Sequence, residues 1–134
     1  MHTAVSVLPP GDRRRIVLYV EDNPANVTFM NDLVSTIEGI ELATTPTAEL
    51  GIAFASERHP DAIIMDINLP GMSGLEALRI LRAAESTRNI PVIALRAAAS
   101  ERDKQRGQQA GFFRYITKPV KVDELLLALE LLLV

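Results

Sequence analysis

The chain has 134 residues, and its hydrophobic fraction of 48% and charged fraction of 23% are those of one globular domain, which excludes a disordered or fibrous chain. Its formal net charge of -3 offers no domain-wide positive field for phosphate groups, so we expect no binding to nucleic acid. Cysteine is absent, which excludes disulfides and thiolate metal sites, and no apolar run reaches the roughly 20 residues of a membrane-spanning helix, so we expect a cytoplasmic protein.

The first predicted strand of the domain leads straight into two acidic residues. Residues 1–14 contain Pro-Pro-Gly and a short basic run, which indicates a flexible lead-in, and we place the folded domain at residues 15–134. Residues 16–20, IVLYV, form a continuous apolar run that is typical of a buried strand. Glu21 and Asp22 follow without a gap, so two carboxylates lie at the end of this strand.

The first predicted helix opens with residues that favour a helix start. Asn23 is in the N-cap position and Pro24 is in the first helical position. Apolar residues recur after them at helical spacing and would form the buried face of this helix: Val27, Met30, Val34 and Ile37.

The rest of the chain alternates short apolar runs with helix-length segments. Further strands are predicted at residues 41–45, 61–66, 91–95 and 113–117. A second helix is predicted to open at Thr45-Pro46 and to carry the apolar residues Leu50 and Phe54. A third is predicted after Ser73, because Glu76 follows it at capping-box spacing. The last two are predicted at residues 101–110, before Gly111, and at residues 122–134.

This alternation predicts an α/β fold with a single parallel sheet. Five strands that alternate with five helices need a sheet that is covered on both faces. Such crossover connections are right-handed, and the common five-stranded solution is the doubly wound order 2-1-3-4-5. In such a sheet a ligand binds beyond the carboxyl ends of the strands, at the switch point between strands 1 and 3.

Three acidic side chains are expected to converge at that switch point. Glu21 and Asp22 follow the first strand, and Asp66 ends the third. Their mutual repulsion needs a cation or a proton to offset it, and an oxygen-only cluster suits Mg2+; the alternative is that they are solvated acids in loops. Lys118 follows the fifth strand on the same edge, within reach of Asp66, although a plain surface position is the alternative for a lysine.

Four segments in order, VEDN, IIMDINLPGMSG, PVIAL and GFFRYITKP, resemble the receiver domain of two-component response regulators, from about residue 15 to residue 134. The resemblance implies a flavodoxin-like fold and a phosphoacceptor in phosphorelay signalling rather than an enzyme. Asp66 would take the phosphoryl group from a phosphohistidine of a histidine kinase or histidine phosphotransferase. The implied protein ligands of Mg2+ are Glu21, Asp22, Asp66 and the backbone carbonyl of Asn68.

The resemblance also implies roles for residues near the end of the chain. Lys118 would bind the phosphoryl group, the Lys118–Pro119 peptide bond would be cis, and Tyr115 would be the aromatic switch residue. Related receivers pair through helix 4, strand 5 and helix 5. The leucine-rich last helix carries more apolar residues than one buried face can use, so we expect a homodimer through this face.

One position departs from the family pattern. Receivers place Thr or Ser at the end of strand 4, where this sequence has Arg96. A guanidinium about 6 Å from the ion would weaken Mg2+ binding about tenfold relative to Thr, whereas a guanidinium turned to solvent would do nothing. The alternative function is therefore a protein-interaction module of the receiver fold with weak or phosphorylation-independent switching.

Two other protein classes are disfavoured by the residues at the ends of the first and third strands. A phosphatase of the haloacid-dehalogenase type needs a second aspartate two residues after its nucleophile, and that position is Asn68. A flavodoxin-like cofactor binder must receive a phosphate in its first loop, where Glu21 and Asp22 would repel it. We therefore expect either a single-domain regulator or the receiver of a hybrid histidine kinase.

Overall fold

The computed structural model describes residues 5–6, 14–97 and 100–133, and strands alternate with helices along most of this length. The strands are β1 (Val5–Ser6), β2 (Arg15–Val20), β3 (Ile37–Glu38), β4 (Ile40–Thr45), β5 (Ala62–Asp66), β6 (Val92–Arg96) and β7 (Arg114–Thr117). The helices are α1 (Pro24–Val34), α2 (Ala48–Arg58), α3 (Gly74–Ala83), α4 (Glu101–Ala110) and α5 (Val122–Leu133).

Five of the strands form one parallel sheet in the order β4-β2-β5-β6-β7. This is the predicted 2-1-3-4-5 arrangement, so the fold prediction is confirmed. The register pairs Val20 with Met65 and Asp66 with Leu95, which brings the carboxyl ends of the three central strands to one edge. β1 pairs with β3 in a separate parallel ladder. β1 lies within residues 1–14, the segment predicted as a flexible lead-in. Residues 1–4 and 7–13 of that segment lie outside the described residues.

The central strands are apolar along their length because both faces of the sheet are covered. Alternate residues of β2 join opposite layers of the core. Val17 and Tyr19 belong to the cluster formed with α1 and α5, whereas Leu18 and Val20 belong to the cluster formed with α2 and α3. Full burial of one aliphatic side chain contributes about 1.5–3 kcal/mol, so both helix layers are held firmly to the sheet. Tyr19 therefore lies in the α1 layer, close to the carboxyl edge.

Three helix boundaries follow the predicted capping chemistry. The Asn23 side chain accepts from the backbone N–H of Ala25 at 2.8 Å, and the Ser73 hydroxyl oxygen accepts from the backbone N–H of Glu76 at 3.1 Å. Each contact satisfies a backbone donor that the first turn of a helix leaves unpaired. α4 ends at Gly111, whose φ of 114° lies in the left-handed region that favours glycine.

The predicted end of the first helix was wrong. α1 ends at Val34, and Ile37, which was expected on its buried face, begins β3 instead. The Thr36 hydroxyl donates to the backbone carbonyl of Leu33 at 2.7 Å. This side-chain hydrogen bond takes an acceptor that a continuing helix would have used, which is how threonine competes with helical backbone.

The predicted start of the second helix was also wrong. Thr45 is still in β4, where it pairs with Val20, and α2 begins at Ala48 rather than at Thr45-Pro46. Thr47 is the N-cap, because its hydroxyl oxygen accepts from the backbone N–H of Leu50 at 3.1 Å. Leu50 itself is exposed.

The last helix buries one face and leaves two leucines outside. Leu125, Leu129 and Leu133 are buried against the sheet, whereas Leu127 and Leu131 are 57% and 55% exposed. The excess of apolar residues predicted for this helix is therefore present on its surface. Among the residues that the structure describes, no helix combines the length and apolar character that crossing a membrane requires.

Candidate functional site

Three strand ends deliver charged side chains to one cleft at the carboxyl edge of the sheet. Asp66 ends β5, Glu21 follows β2, and Lys118 follows β7. The Lys118 Nζ atom lies 2.9 Å from Asp66 Oδ2 and 3.6 Å from Glu21 Oε1. Both carboxylates are nearly buried, with exposed fractions of 6% and 1% for the Asp66 and Glu21 side chains. The structure therefore brings together three of the residues that the sequence pointed to.

Each oxygen of Asp66 has a donor from the cleft. Oδ2 faces the Lys118 ammonium, and Oδ1 accepts from the backbone N–H of Asn68 at 2.9 Å. Such pairing is what makes a buried carboxylate tolerable in the folded state. A carboxylate has about four acceptor positions, so these two contacts hold Asp66 in place and leave capacity for a further partner.

Glu21 is held by donors from its own segment of chain. The Tyr19 hydroxyl and the Asn26 amide donate to Oε1 at 3.0 Å and 3.2 Å, and the backbone N–H of Asn23 donates to Oε2 at 3.2 Å. Burial raises the pKa of Glu21, and the neighbouring Asp66 carboxylate adds to the rise, while the Asn23 N–H opposes it. Negative charge at this edge is therefore not fully offset by the donors around it.

The donor set of the cleft fits Mg2+. The Glu21 and Asp66 carboxylates and the Lys118 ammonium give the cleft a formal charge of -1 when all are ionised, and Asp22, which follows Glu21 in the chain, is exposed. Within residues 14–97 and 100–133, no three His, Cys, Asp or Glu side chains are grouped closely enough to hold a metal ion by themselves. Mg2+ commonly uses one or two carboxylates together with waters and phosphate oxygens, which is the combination that this edge offers.

The two residues predicted to form the switch are in direct contact. Arg96 ends β6, and its Nη1 atom donates to the Tyr115 hydroxyl on β7 at 3.3 Å. This hydrogen bond raises the pKa of Arg96, and Asp103 on α4 adds a smaller attraction. The guanidinium is thus directed at Tyr115 and α4. Whether it acts on the acidic cleft stays a prediction.

The Tyr115 ring fits against α4 because residue 107 is glycine. A Cβ atom at Gly107 would overlap Cδ2 of the ring. The ring also meets Phe112 edge to face, with centroids 6.0 Å apart and an interplanar angle of 84°. A small cavity of about 120 Å³ is lined by Arg96 and Tyr115, among other residues.

Sequence reasoning missed three residues that shape this site. Tyr19 stands out in an otherwise aliphatic strand, and Asn26 lies in the first helical turn after the acids, so both carried a weak signal of a polar role. Gly107 lies within α4, where glycine costs about 1 kcal/mol relative to alanine. A glycine at such a position indicates a close contact, and here the contact is the Tyr115 ring.

Comparison with known proteins identifies the family. Residues 17–130 match the sequence profile of the response regulator receiver domain. This chain belongs to the response regulator receiver family. The receiver is 42% identical over 106 residues to the polar-differentiation response regulator DivK of Brucella ovis, and the matched region covers 79% of this chain and 85% of DivK.

Solved structures agree with this assignment. The receiver domain of the sensor histidine kinase PA1611 from Pseudomonas aeruginosa has a TM-score of 0.79 and 34% identity, over 90% of this chain and 98% of that domain. That crystal structure holds a magnesium ion coordinated in its active site cleft. The chemotaxis response regulator CheY4 of Vibrio cholerae has a TM-score of 0.80 and 27% identity, over 90% of this receiver and 99% of CheY4.

Proposed function

We propose that this receiver accepts a phosphoryl group on Asp66 from a phosphohistidine of a histidine kinase or histidine phosphotransferase. The observation that carries the proposal is the 2.9 Å contact between Lys118 Nζ and Asp66 Oδ2 in a cleft at the switch point of the sheet. An Asp66 oxygen attacks the phosphorus, the phosphorus–nitrogen bond breaks with its electron pair leaving on the imidazole, and an acyl phosphate forms. The chain thereby acts as a phosphoacceptor in signalling.

Lys118 offsets negative charge during the transfer. Charge spreads over the three oxygens of a phosphoryl group as it moves, so stabilisation comes mainly from cations placed beside those oxygens. The ammonium already lies against the nucleophile, and its flexible stem lets it follow the charge onto the phosphoryl oxygens.

The residues that would hold Mg2+ are Glu21, Asp22, Asp66 and the carbonyl of Asn68. Bound there, the ion would supply positive charge to the phosphoryl oxygens in addition to that of Lys118. The net negative charge of the cleft supports the set, and so does the magnesium ion in the cleft of the PA1611 receiver domain.

Incubation with acetyl phosphate and Mg2+, followed by intact-mass measurement, tests the proposal. The parent protein should gain one labile phosphoryl group, and Asp66→Asn should gain none. Asp32→Asn is the matched control, because Asp32 is an exposed acid on α1, and it should behave as the parent. Uptake by Asp66→Asn at the parental level would refute the assignment.

A second candidate function is an interaction module that switches weakly or independently of phosphorylation. The observation that favours it is Arg96, which occupies the usual Thr or Ser position and donates to Tyr115 at 3.3 Å. The hydroxyl that would contact the phosphoryl group is thus replaced by the longer arginine side chain, which is hydrogen-bonded to Tyr115 instead. A parent protein that gains no mass with acetyl phosphate would support this candidate over the first.

The partner surface of the receiver is proposed to be the face formed by α4, β7 and α5, which would pair with a second copy. Leu127 and Leu131 lie one turn apart on α5 and are 57% and 55% exposed. Neighbouring exposed leucines of this kind support association, because burying them against another chain removes apolar area from water.

A further inference from the structure

Tyr19 is a buried phenol whose hydroxyl is directed at an acid of the cleft. The residue is 2% exposed, and its hydroxyl donates to Glu21 Oε1 at 3.0 Å. That same oxygen faces the Lys118 ammonium at 3.6 Å. Tyr19 is the penultimate residue of β2 and Glu21 is the first residue after it, so the phenol and the carboxylate are two positions apart at the carboxyl edge of the sheet.

Two further donors fix the same carboxylate. The Asn26 amide donates to Oε1 at 3.2 Å, and the backbone N–H of Asn23 donates to Oε2 at 3.2 Å. Glu21 therefore has donors on both oxygens from the segment that surrounds it in sequence. Hydrogen bonds to both carboxylate oxygens fix the orientation of the Glu21 side chain, so its Oε1 atom has a defined position in the cleft.

A packing role alone does not account for a tyrosine at this position. Phenylalanine would fill the same space without burying a hydroxyl, which costs about 1–3 kcal/mol unless the group is hydrogen-bonded. Tyr19 also lines a cavity of about 260 Å³ together with Asn26, Met30 and Lys118, so this core residue borders two of the residues that contact Glu21.

We propose that Tyr19 is a positioning residue that holds the Glu21 carboxylate in the orientation needed for Mg2+ binding, with Asn26 assisting it. The inference rests on the proposed function at Asp66. Groups that orient metal-binding side chains through a hydrogen bond typically contribute about 10- to 100-fold to metal affinity. Tyr19 contacts Glu21 and acts through it, so it is not itself a ligand.

The test is a Mg2+ titration of Tyr19→Phe by calorimetry. We expect the affinity to fall about tenfold, the low end of the range for such groups, because Asn26 still donates to Oε1. Thr87→Val is the matched control, since it also removes a buried, hydrogen-bonded hydroxyl, which donates to Leu81 at 2.6 Å. Thr87 precedes β6 at the amino edge of the sheet, so this variant should keep the parental affinity.

A spectroscopic measurement separates positioning from a structural role. The sequence has two tyrosines and no tryptophan, so in Tyr115→Phe all tyrosine emission comes from Tyr19. Mg2+ should change this emission with the same dissociation constant that calorimetry gives for Tyr115→Phe. Emission that is insensitive to bound Mg2+ would overturn the proposal, because a phenol bonded to Glu21 must sense the ion.

A double-mutant cycle with Glu21→Gln completes the test. If Tyr19 acts through Glu21, adding Tyr19→Phe to Glu21→Gln should change Mg2+ affinity by less than twofold. Parental affinity in the single variant Tyr19→Phe, or fully additive losses in the double variant, would overturn this inference alone. A parent that binds no Mg2+ and takes up no phosphoryl group would refute the proposed function, and the inference would fall with it.

Discussion

Glu21→Gln should flatten the dependence of this receiver's stability on pH in the absence of Mg2+. Burial raises the pKa of Glu21 above its ordinary value of 4.5, and the neighbouring Asp66 carboxylate adds to the rise. The folded chain therefore holds a proton on Glu21 at pH values where the unfolded chain has already lost it. A glutamine carries no such proton at any pH, so the variant removes this linkage.

The sign and size of the effect follow from proton linkage. A carboxyl with a raised folded-state pKa contributes stability that is fully present below the unfolded pKa of 4.5 and is lost as pH rises through the folded pKa. For one proton, the free energy of unfolding falls by at most about 1.4 kcal/mol per pH unit within that window. Glutamine has one acceptor oxygen where glutamate has two, so a donor on one side of residue 21 loses its acceptor, which costs about 1 kcal/mol at all pH values. The slope, rather than the absolute stability, is therefore the decisive quantity.

Urea unfolding with a chelator, at steps from pH 4.5 to 8, measures this slope. The parent should lose stability faster than Glu21→Gln as pH rises above 4.5, and the two curves should become parallel at higher pH. Glu57→Gln is the control, because Glu57 is exposed on α2 and its removal should leave the parental profile unchanged. Equal slopes in the parent and in Glu21→Gln would show that protonation of Glu21 does not cause the pH dependence of the free energy of unfolding.

Three further variants test the other features of the site. Arg96→Thr should raise Mg2+ affinity, by up to about tenfold, because it removes a positive charge near the cleft; equal calorimetric affinities would mean that the guanidinium does not act there. Gly107→Ala should displace the Tyr115 ring, because its Cβ would overlap Cδ2 of the ring, and unchanged NMR ring shifts of Tyr115 would contradict this. Leu127→Glu combined with Leu131→Glu should give a folded monomer by light scattering where the parent is a dimer, and a monomeric parent would remove the proposed interface.

The strand order could be predicted because burial leaves a simple trace in the sequence. A strand covered on both faces is apolar along most of its length, as residues 16–20 of β2 and residues 62–65 of β5 are; Glu21 follows the first run and Asp66 follows the second. Once those strands are neighbours, their carboxyl ends must meet, so the proximity of Glu21 to Asp66 followed from topology. Lys118 follows β7, whose carboxyl end lies at the same edge of the sheet, so its proximity to the two acids also followed from topology.

The partners of individual polar side chains could not be predicted in this way. The Thr36 hydroxyl that ends α1 and the Thr47 hydroxyl that starts α2 are local choices among several possible caps. The contact of Arg96 with Tyr115 joins residues 19 positions apart, and it depends on the missing side chain at Gly107. Differences of a few tenths of an ångström decide such contacts, and hydrophobic periodicity carries no information at that scale.

If Arg96 takes the place of the usual hydroxyl in a switch, we expect the donor to change and the direction of the coupling to stay the same. Asp66 pairs with Leu95 in the sheet, so Arg96 is one residue beyond the position beside the proposed phosphoacceptor. A phosphoryl group adds roughly two negative charges there, and charge-assisted hydrogen bonds to it are about twice as strong as a bond to a neutral phenol. The guanidinium would therefore leave Tyr115 for the phosphoryl group and release the ring from its partner. Gly107→Ala would displace the same ring by steric contact alone, so it should imitate the effect of Asp66 phosphorylation on Tyr115. Arg96→Ala, which carries neither a guanidinium nor a hydroxyl, should make the ring insensitive to the charge on Asp66.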